Sequence, residues 1–408
     1  MDKEKIVNIK KLFLLSISSF IFLISLQNCS ETKSGTTEKL PPKKLPAYIY
    51  TFEDSLRSRL SREKIPGAAL AIVQDSTISY LQTFGYTENG SGRAVDSNTV
   101  FRLASLSKGF TAVLTGILVE EGLLHWNDKI IKHYPEFALK DSAQTQRVEI
   151  RHLLSHSSGL PYHAYTNLVE DGLTLDKIIP NLAKPDLIAQ EGEIYAYQNA
   201  AFAVMEKVIE AVCDTTFNAA LKIKIFDALH MKNASTSYQA LTSSGNFAKP
   251  HFFSALQQDY VAIHNSKKYY NAVSAGGINA SISDMAKWMK LLTGSRQNII
   301  ADSTLDYILS PLITVNTRRY SRRWKARRSE YALGWRVVNF QGRPIAFHGG
   351  YVNAYRSEIA IDRANHLAIC VLFNSPHWYS SRIIPDFFRT FFVADTARGN
   401  KAKLVKEF

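Results

Sequence analysis

Cysteine is scarce in this chain: three in 408 residues, at Cys29, Cys213 and Cys370. So few, so widely spaced, support neither a disulfide framework nor the paired-cysteine spacing of a zinc site. Cys370 lies inside the apolar run LAICVLF, where a thiol is most simply a small buried hydrophobe. Glycine and proline are unexceptional at 20 and 13 residues, which excludes a collagen-like or Pro/Gly-rich disordered chain. No internal repeat is present, so a solenoid or propeller is excluded. Long hydrophobic runs are also missing. The longest uncharged apolar stretch, LFLLSISSFIFLISL at 12–26, has 15 residues, too short for a typical membrane span. What remains is globular: 46% hydrophobic and 21% charged residues over a length that can bury a sizeable core and form two or three lobes.

The basic MDKEKIVNIKK followed by that apolar stretch reads as a secretory signal over 1–28, and its presence predicts an exported, periplasmic protein. Cys29 stands where bacterial lipoprotein leaders carry their lipidated cysteine, with Leu26 three residues before it. Gln27 and Asn28 are bulkier than the small residues usual there, so lipidation, ordinary cleavage and an uncleaved anchor all remain open. Polar residues 29–45, SETKSGTTEKLPPKKL with the cysteine, read as a flexible tether. The formal charge is +13, and much of the excess is local: TRRYSRRWKARRSE, 317–330, carries seven cationic side chains around Tyr320 and Trp324. For an exported protein, nucleic acid is not the expected partner. Anionic head groups, wall polymers or a carboxylated substrate fit better, and a solvated loop is the simplest reading.

Strand patterns come from both ends of the chain. A helix is predicted at Ala47–Arg62 from Ile49, Phe52, Leu56 and Leu60, then a hairpin of AALAIV and TISYLQTFG about QDS. Near the other end YALGWRVVNF, PIAFH, RSEIAI and LAICVLFN read as strands, the last apolar on both parities and therefore central. DFFRTFFVA, from Asp386, reads as a closing helix, with 396–408 a basic tail. The prediction is an α+β fold: an antiparallel sheet flanked by terminal helices (46–97 and 285–395), an all-helical lobe inserted between (98–284), and a cleft where they meet.

Three elements carry candidate chemistry. In FRLASLSKGFTAVLTGILVEEG, Ser105 and Lys108 stand three apart at the head of a run uncharged from Gly109 to Val119. Positions i and i+3 share a helix face, so a hydroxyl and an amine can meet there, unless the lysine snorkels to water. A helix apolar all round is buried, and burial pulls an ammonium toward neutrality. Moving it from about 10.4 toward 7–8 takes roughly 4 kcal/mol. In GEIYAYQNAAFAVMEKVIEAV, Tyr197 and Asn199 precede a helix; taken alone they are a loop tyrosine and a capping asparagine. In PIAFHGGYVNAYRS, His348, which could donate a hydrogen bond to substrate or help transfer a proton, precedes Gly349 and Gly350, two glycines after a strand that permit close backbone approach. His152 and His156, four apart, read as packing residues, and no metal or cofactor is predicted.

In this order, S-x-x-K, Y-x-N and H-G-G resemble the serine penicillin-recognising family of class C β-lactamases, DD-peptidases and related esterases. VFRLASLSKGFTAV, VEIRHLLSHSSGLP, YAYQNAAFAV, SAGGINASISDMAKWM and YALGWRVV are similar to family segments in the same order, over roughly 46–395. The resemblance implies a serine hydrolase in which Ser105 becomes acylated by a lactam, D-amino-acid peptide or ester. Lys108 and Tyr197 would share general acid and base work, and Asn199 would position the substrate amide. The backbone N–H groups of Ser105 and Tyr351 would form the oxyanion hole. His348-Gly349-Gly350 departs from the K-T-G of class C enzymes, removing a lysine and a threonine that hold a substrate carboxylate. That departure favours a peptidase or esterase; a non-catalytic or slow-turnover binder of penicillin or cell wall is the alternative. Arg356, a few residues on, reads as a salt-bridge residue rather than a substrate clamp.

Overall fold

The apolar runs of both chain ends pair with one another. In the computed structural model, which describes residues 46–294 and 298–406, twelve strands occur: β1 Gly67–Gln74, β2 Thr77–Gly85, β3 Val100–Arg102, β4 His251–Ser254, β5 Asp259–Ala262, β6 Asn279–Ser281, β7 Ile313–Val315, β8 Ser329–Tyr331, β9 Arg336–Phe340, β10 Arg343–Val352, β11 Tyr355–Asp362 and β12 Leu367–Phe373. Eight form one antiparallel sheet in the order β2-β1-β12-β11-β10-β9-β8-β7. The expected signal segment, tether and Cys29 lie outside the described residues. No helix among those described is long and apolar enough to cross a membrane.

Every residue of β12 is buried, and β1 sits against it with Ala68 opposite Phe373 and Val73 opposite Ala368. Side-chain alternation explains why these strands are apolar throughout. Ala68, Leu70 and Ile72 enter one core cluster, while Ala69, Ala71 and Val73 enter the other. The first cluster is closed by the helix Ala47–Arg62, as predicted, and by the C-terminal helix Ile383–Lys406. Tyr48 meets Phe391 edge to face at 5.2 Å, and Phe52 meets Phe387 at the same distance. That closing helix runs on into the residues expected as a separate basic tail, because no proline follows Pro385 to stop it. The second cluster is closed by the helix Ile282–Leu292 and the inserted region.

Four expectations need correction. The inserted region is mostly rather than wholly helical. β3 pairs with β6, and β4 with β5 in a separate hairpin, so these segments satisfy their backbone groups across a neighbouring strand. YALGWRVVNF is not one strand: Ala332–Trp335 loops out between β8 and β9, where Gly334 takes φ +75° and a side chain would meet the Lys108 carbonyl at 2.6 Å. β10 does not stop before the glycines; Gly349 and Gly350 lie inside it, opposite Glu358 and Ser357. The basic segment is not a loop but contains the helix Arg318–Trp324, capped by the Thr317 hydroxyl. Trp324 pins it to the sheet, packed against Phe340, Phe347 and Phe388.

Candidate active site

Ser105 sits on a 3-10 turn, Ala104–Leu106, between β3 and the buried helix Ser107–Glu120. The turn is held at each step. Leu103 N–H donates to Ile278 O (2.9 Å), Ser357 Oγ donates to Leu103 O (2.6 Å), and Ser107 Oγ donates to Ala104 O (2.7 Å). This bracing sustains Ala104 at φ +49°, a left-handed conformation that strains a residue bearing a Cβ. The result turns Ser105 outward: its neighbours are buried while it is partly exposed. Behind the turn lies β10. A Cβ on Gly350 would collide with Ser357 Oγ and the Leu103 carbonyl, so only glycine lets the strand come this close.

Lys108 does not snorkel. It is fully buried, and Nζ donates to Asn199 Oδ1 (2.8 Å) and Ala275 O (2.7 Å). Burial, and then the charge of Arg336, hold its pKa well below the usual lysine value. Nζ donates both bonds, which leaves one position on the nitrogen for a third proton or a lone pair. The acceptors are themselves anchored. Asn199 is the first residue of the helix Asn199–Cys213, not its cap, and its Nδ2 donates to Tyr269 Oη (3.0 Å). Asn199 therefore anchors Lys108 through its amide oxygen, while one of its two Nδ2 N–H donors is taken by Tyr269. Ala275 is held through its neighbour: Ser274 donates from N and Oγ, each at 2.8 Å, to Glu206 Oε1.

Tyr197, rather than Lys108, contacts the serine: its hydroxyl donates to Ser105 Oγ at 2.9 Å. Burial pushes its pKa up to about 12 against the opposing pull of Arg336, so it rests as the neutral phenol. Lys108 Nζ stands 4.8 Å from the ring centroid, and the His156 ring packs against it at 4.3 Å. His156 is therefore a packing residue, while His152 Nδ1 accepts the Glu149 N–H. Among the described residues no three His, Cys, Asp or Glu side chains cluster as a metal site would need.

His348 is not positioned as a substrate donor. It is buried; Nδ1 pairs with Gly349 O (3.0 Å), and Nε2 faces Arg336 Nη1 (2.9 Å) and Tyr331 Oη (3.2 Å). Burial and Arg336 depress its pKa well below the ordinary range, so the neutral ring accepts from the guanidinium. Arg336 also donates to Tyr320 Oη (3.0 Å) and lies 5.4 Å from the Tyr197 ring. Sequence reasoning missed it, although a signal existed: an arginine on the same strand parity as the buried Val338 and Phe340. Arg356 forms the expected salt bridge, to Glu358 at 2.8 Å.

One edge of β10 is open beside this cluster. Pairing with β9 ends at Phe347 opposite Arg336, whereas pairing with β11 continues to Val352. From His348 to Val352 the strand therefore has one partner, next to the turn that carries Ser105. Tyr351 there is half exposed, as is Tyr162, whose ring is 6.4 Å from that of Tyr197.

Comparison with known proteins gives a consistent picture. The profile of the family described as Beta-lactamase matches residues 52–390. The chain is 26% identical to penicillin-binding protein 4* of Bacillus subtilis over 308 residues, 71% of this chain and 64% of that one. It is 24% identical to an unguisins hydrolase of Aspergillus campestris over 330 residues, 76% of this chain and 58% of that one. The chain thus spans about three fifths of the length of these curated relatives. Among solved structures, the octameric penicillin-binding protein homologue from Pyrococcus abyssi superposes with a TM-score of 0.71 at 23% identity, covering 82% of this chain and 76% of that one.

Proposed function

The chain belongs to the beta-lactamase family, and on that premise we propose that it is a serine hydrolase in which Ser105 forms an acyl-enzyme with an amide, lactam or ester. The observation that carries this reading is the continuous contact chain Ser105–Tyr197, with Lys108 held beside it by Asn199 and Ala275. The directions of the two pKa shifts support Lys108 as the base. Tyr197 keeps its proton, while burial and Arg336 draw Lys108 toward losing its own, which favours Lys108 as the base. In this reading the Tyr197 hydroxyl, which rests donating to Ser105 Oγ, turns toward Lys108 and passes its proton there as its oxygen takes the Ser105 proton, and the reverse delivers a proton to the leaving group. Backbone N–H groups of Ser105 and Tyr351 receive the developing oxyanion, each such donor worth about 10²–10³ in rate.

The open edge of β10 supports an extended, amide-bearing substrate, which can add to it as a strand does. Arg336 supplies a buried positive charge in a site that lacks the lysine of K-T-G. It is enclosed by His348, Tyr320 and Tyr331, so it acts on Lys108 and Tyr197 through the field and not by gripping a carboxylate. For that reason the reading favours a D-amino-acid peptide or an ester over efficient class C lactam hydrolysis. Residues 1–28 and Cys29 support export to the periplasm, with lipid anchoring at Cys29 as the tighter version.

The test is time-resolved mass measurement of the intact protein, wild type and Ser105→Ala, after mixing with a penicillin and, separately, an activated ester. An adduct on Ser105 that clears with product release supports the hydrolase. One that persists supports a slow-turnover penicillin-binding protein. No adduct from either reagent on folded protein would overturn the assignment of Ser105.

A further inference from the structure

The terminal helices and the basic helix enclose a second concavity, on the side of the sheet away from Ser105. It has a volume of about 350 Å³ and is walled by Arg59, Arg322, Arg323, Lys325, Arg382 and Arg389, with Trp378 and Tyr379 between them. Three separate segments contribute: the end of the Ala47–Arg62 helix, the last turn of Arg318–Trp324 with its cap, and the start of the closing helix. A single carboxylate, Asp386, lies among them, and it is already paired with Arg389. The other five cations make no contact ion pair with a carboxylate of the described residues.

This arrangement is built, not a solvated fringe. The Arg59 guanidinium lies over the Tyr379 ring at 4.4 Å, and that of Arg382 over Trp378 at 5.3 Å, contacts that fix the direction of each planar fork. Trp324 clamps the basic helix from beneath. Arg323 is half-buried, and burial first, then the nearby Arg319 and Arg356, hold its pKa below the usual arginine value against the opposing pull of Glu358. Like charges gathered in one cavity repel each other and oppose folding, and a bound polyvalent anion removes that repulsion. Arginine forks match the oxygens of a phosphate, and several around a cavity neutralise a dianion as one carboxylate would not require. An enclosed cavity also differs from the extended basic stripe that tracks nucleic acid.

We propose that this cavity binds the phosphate group of an organic phosphate monoester, with the half-exposed Trp378 ring covering the adjoining organic part. The phosphate can come from a lipid head group or from a soluble ester, and the probes separate the two. Tryptophan emission of the full-length protein is followed at physiological ionic strength with inorganic phosphate, with glycerol 3-phosphate, and with vesicles of phosphatidic acid in phosphatidylcholine. Saturable binding of the soluble probes supports a free ester; binding of the vesicles alone supports a head group. In either case Arg322→Gln with Arg382→Gln, two exposed positions, should weaken binding about ten-fold or more, because each removes a charge-assisted donor to the phosphate. Trp378→Phe should abolish the optical signal while calorimetry still detects binding. Acylation of Ser105 should be unchanged in both variants, so this site and the hydrolase reading stand or fall separately. Should the double variant fail to fold, Arg382→Gln alone gives the same comparison. The proposal is overturned if no probe binds saturably, if acetate binds as tightly as phosphate, or if the variants bind like wild type.

Discussion

Replacing Glu206 by glutamine isolates a proton-linked contribution to stability lying directly behind the candidate catalytic lysine. Glu206 is buried in the Asn199–Cys213 helix, and its Oε1 accepts both donors of Ser274. Burial pushes its carboxyl from 4.5 up to about 7, outweighing those two hydrogen bonds, with Glu210 adding to the rise and Lys207 opposing it. A raised carboxyl favours the protonated form in the folded state. Its contribution is therefore fully present below the unfolded value near 4.5 and is lost as pH rises through about 7. At about 1.4 kcal/mol per pKa unit the whole effect is about 3 kcal/mol, of which about 2–3 kcal/mol falls between pH 5 and pH 8. Glutamine keeps an oxygen for Ser274 and carries no charge at any pH. Urea unfolding of wild type and Glu206→Gln at intervals from pH 5 to pH 8 should show the variant gaining on wild type by that amount as pH rises. The change across pH is diagnostic, because any fixed packing penalty cancels from it. A stability difference that is constant over the range would refute the reasoning and mean that Glu206 stays ionised in the fold.

Three further outcomes are expected. Tyr197→Phe keeps the ring against Lys108 and His156 but removes the partner of Ser105 Oγ; acylation by an activated ester should fall about 10²-fold or more, and a rate within three-fold of wild type would exclude the relay. Arg336→Met removes a charge that depresses Lys108, so the lysine should hold its proton to higher pH and the rising limb of kcat/KM should move upward. A limb that stays put or moves down would show that Arg336 does not act on the base. Gly350→Ala drives a methyl into Ser357 Oγ and the Leu103 carbonyl; acylation should be lost with about 1–3 kcal/mol of stability, whereas wild-type activity and melting temperature would show that β10 does not fix the turn.

Much of this site was legible because its side chains are chemically conspicuous and their order along the chain is informative. Ser105, Lys108, Tyr197 and Asn199 were singled out, and the structure brings them together. What they do to one another was less legible. The i, i+3 spacing suggested a serine–lysine bond, yet the strained Ala104 turns Ser105 away from its own helix and toward Tyr197. The second acceptor of Lys108 is the Ala275 carbonyl, and a backbone oxygen leaves no trace in a side-chain pattern. Arg336 and Tyr269 enter through packing between distant segments, which local periodicity does not report. For the fold, β1 and β12 were readable from their apolar runs. The glycines inside β10 were not, since glycine weakens a strand in isolation and survives here because β11 and the Leu103 turn lie against it.

The pairing of β1 with β12 also constrains how the chain can be made. Ala68 has no partner on one side until Phe373 has been synthesised, and the core under the first helix waits for Phe387 and Phe391. A nascent chain emerging from its N-terminus therefore carries an exposed, unpaired β1–β2 ribbon through most of its synthesis. Closure is a late event of high contact order, slow on the scale of local helix formation and open to aggregation meanwhile. Loss of the closing helix would uncover one of the two core clusters and leave the other covered by the Ile282–Leu292 helix and the inserted region. The timing of assembly is thus written into the strand order as firmly as the site is.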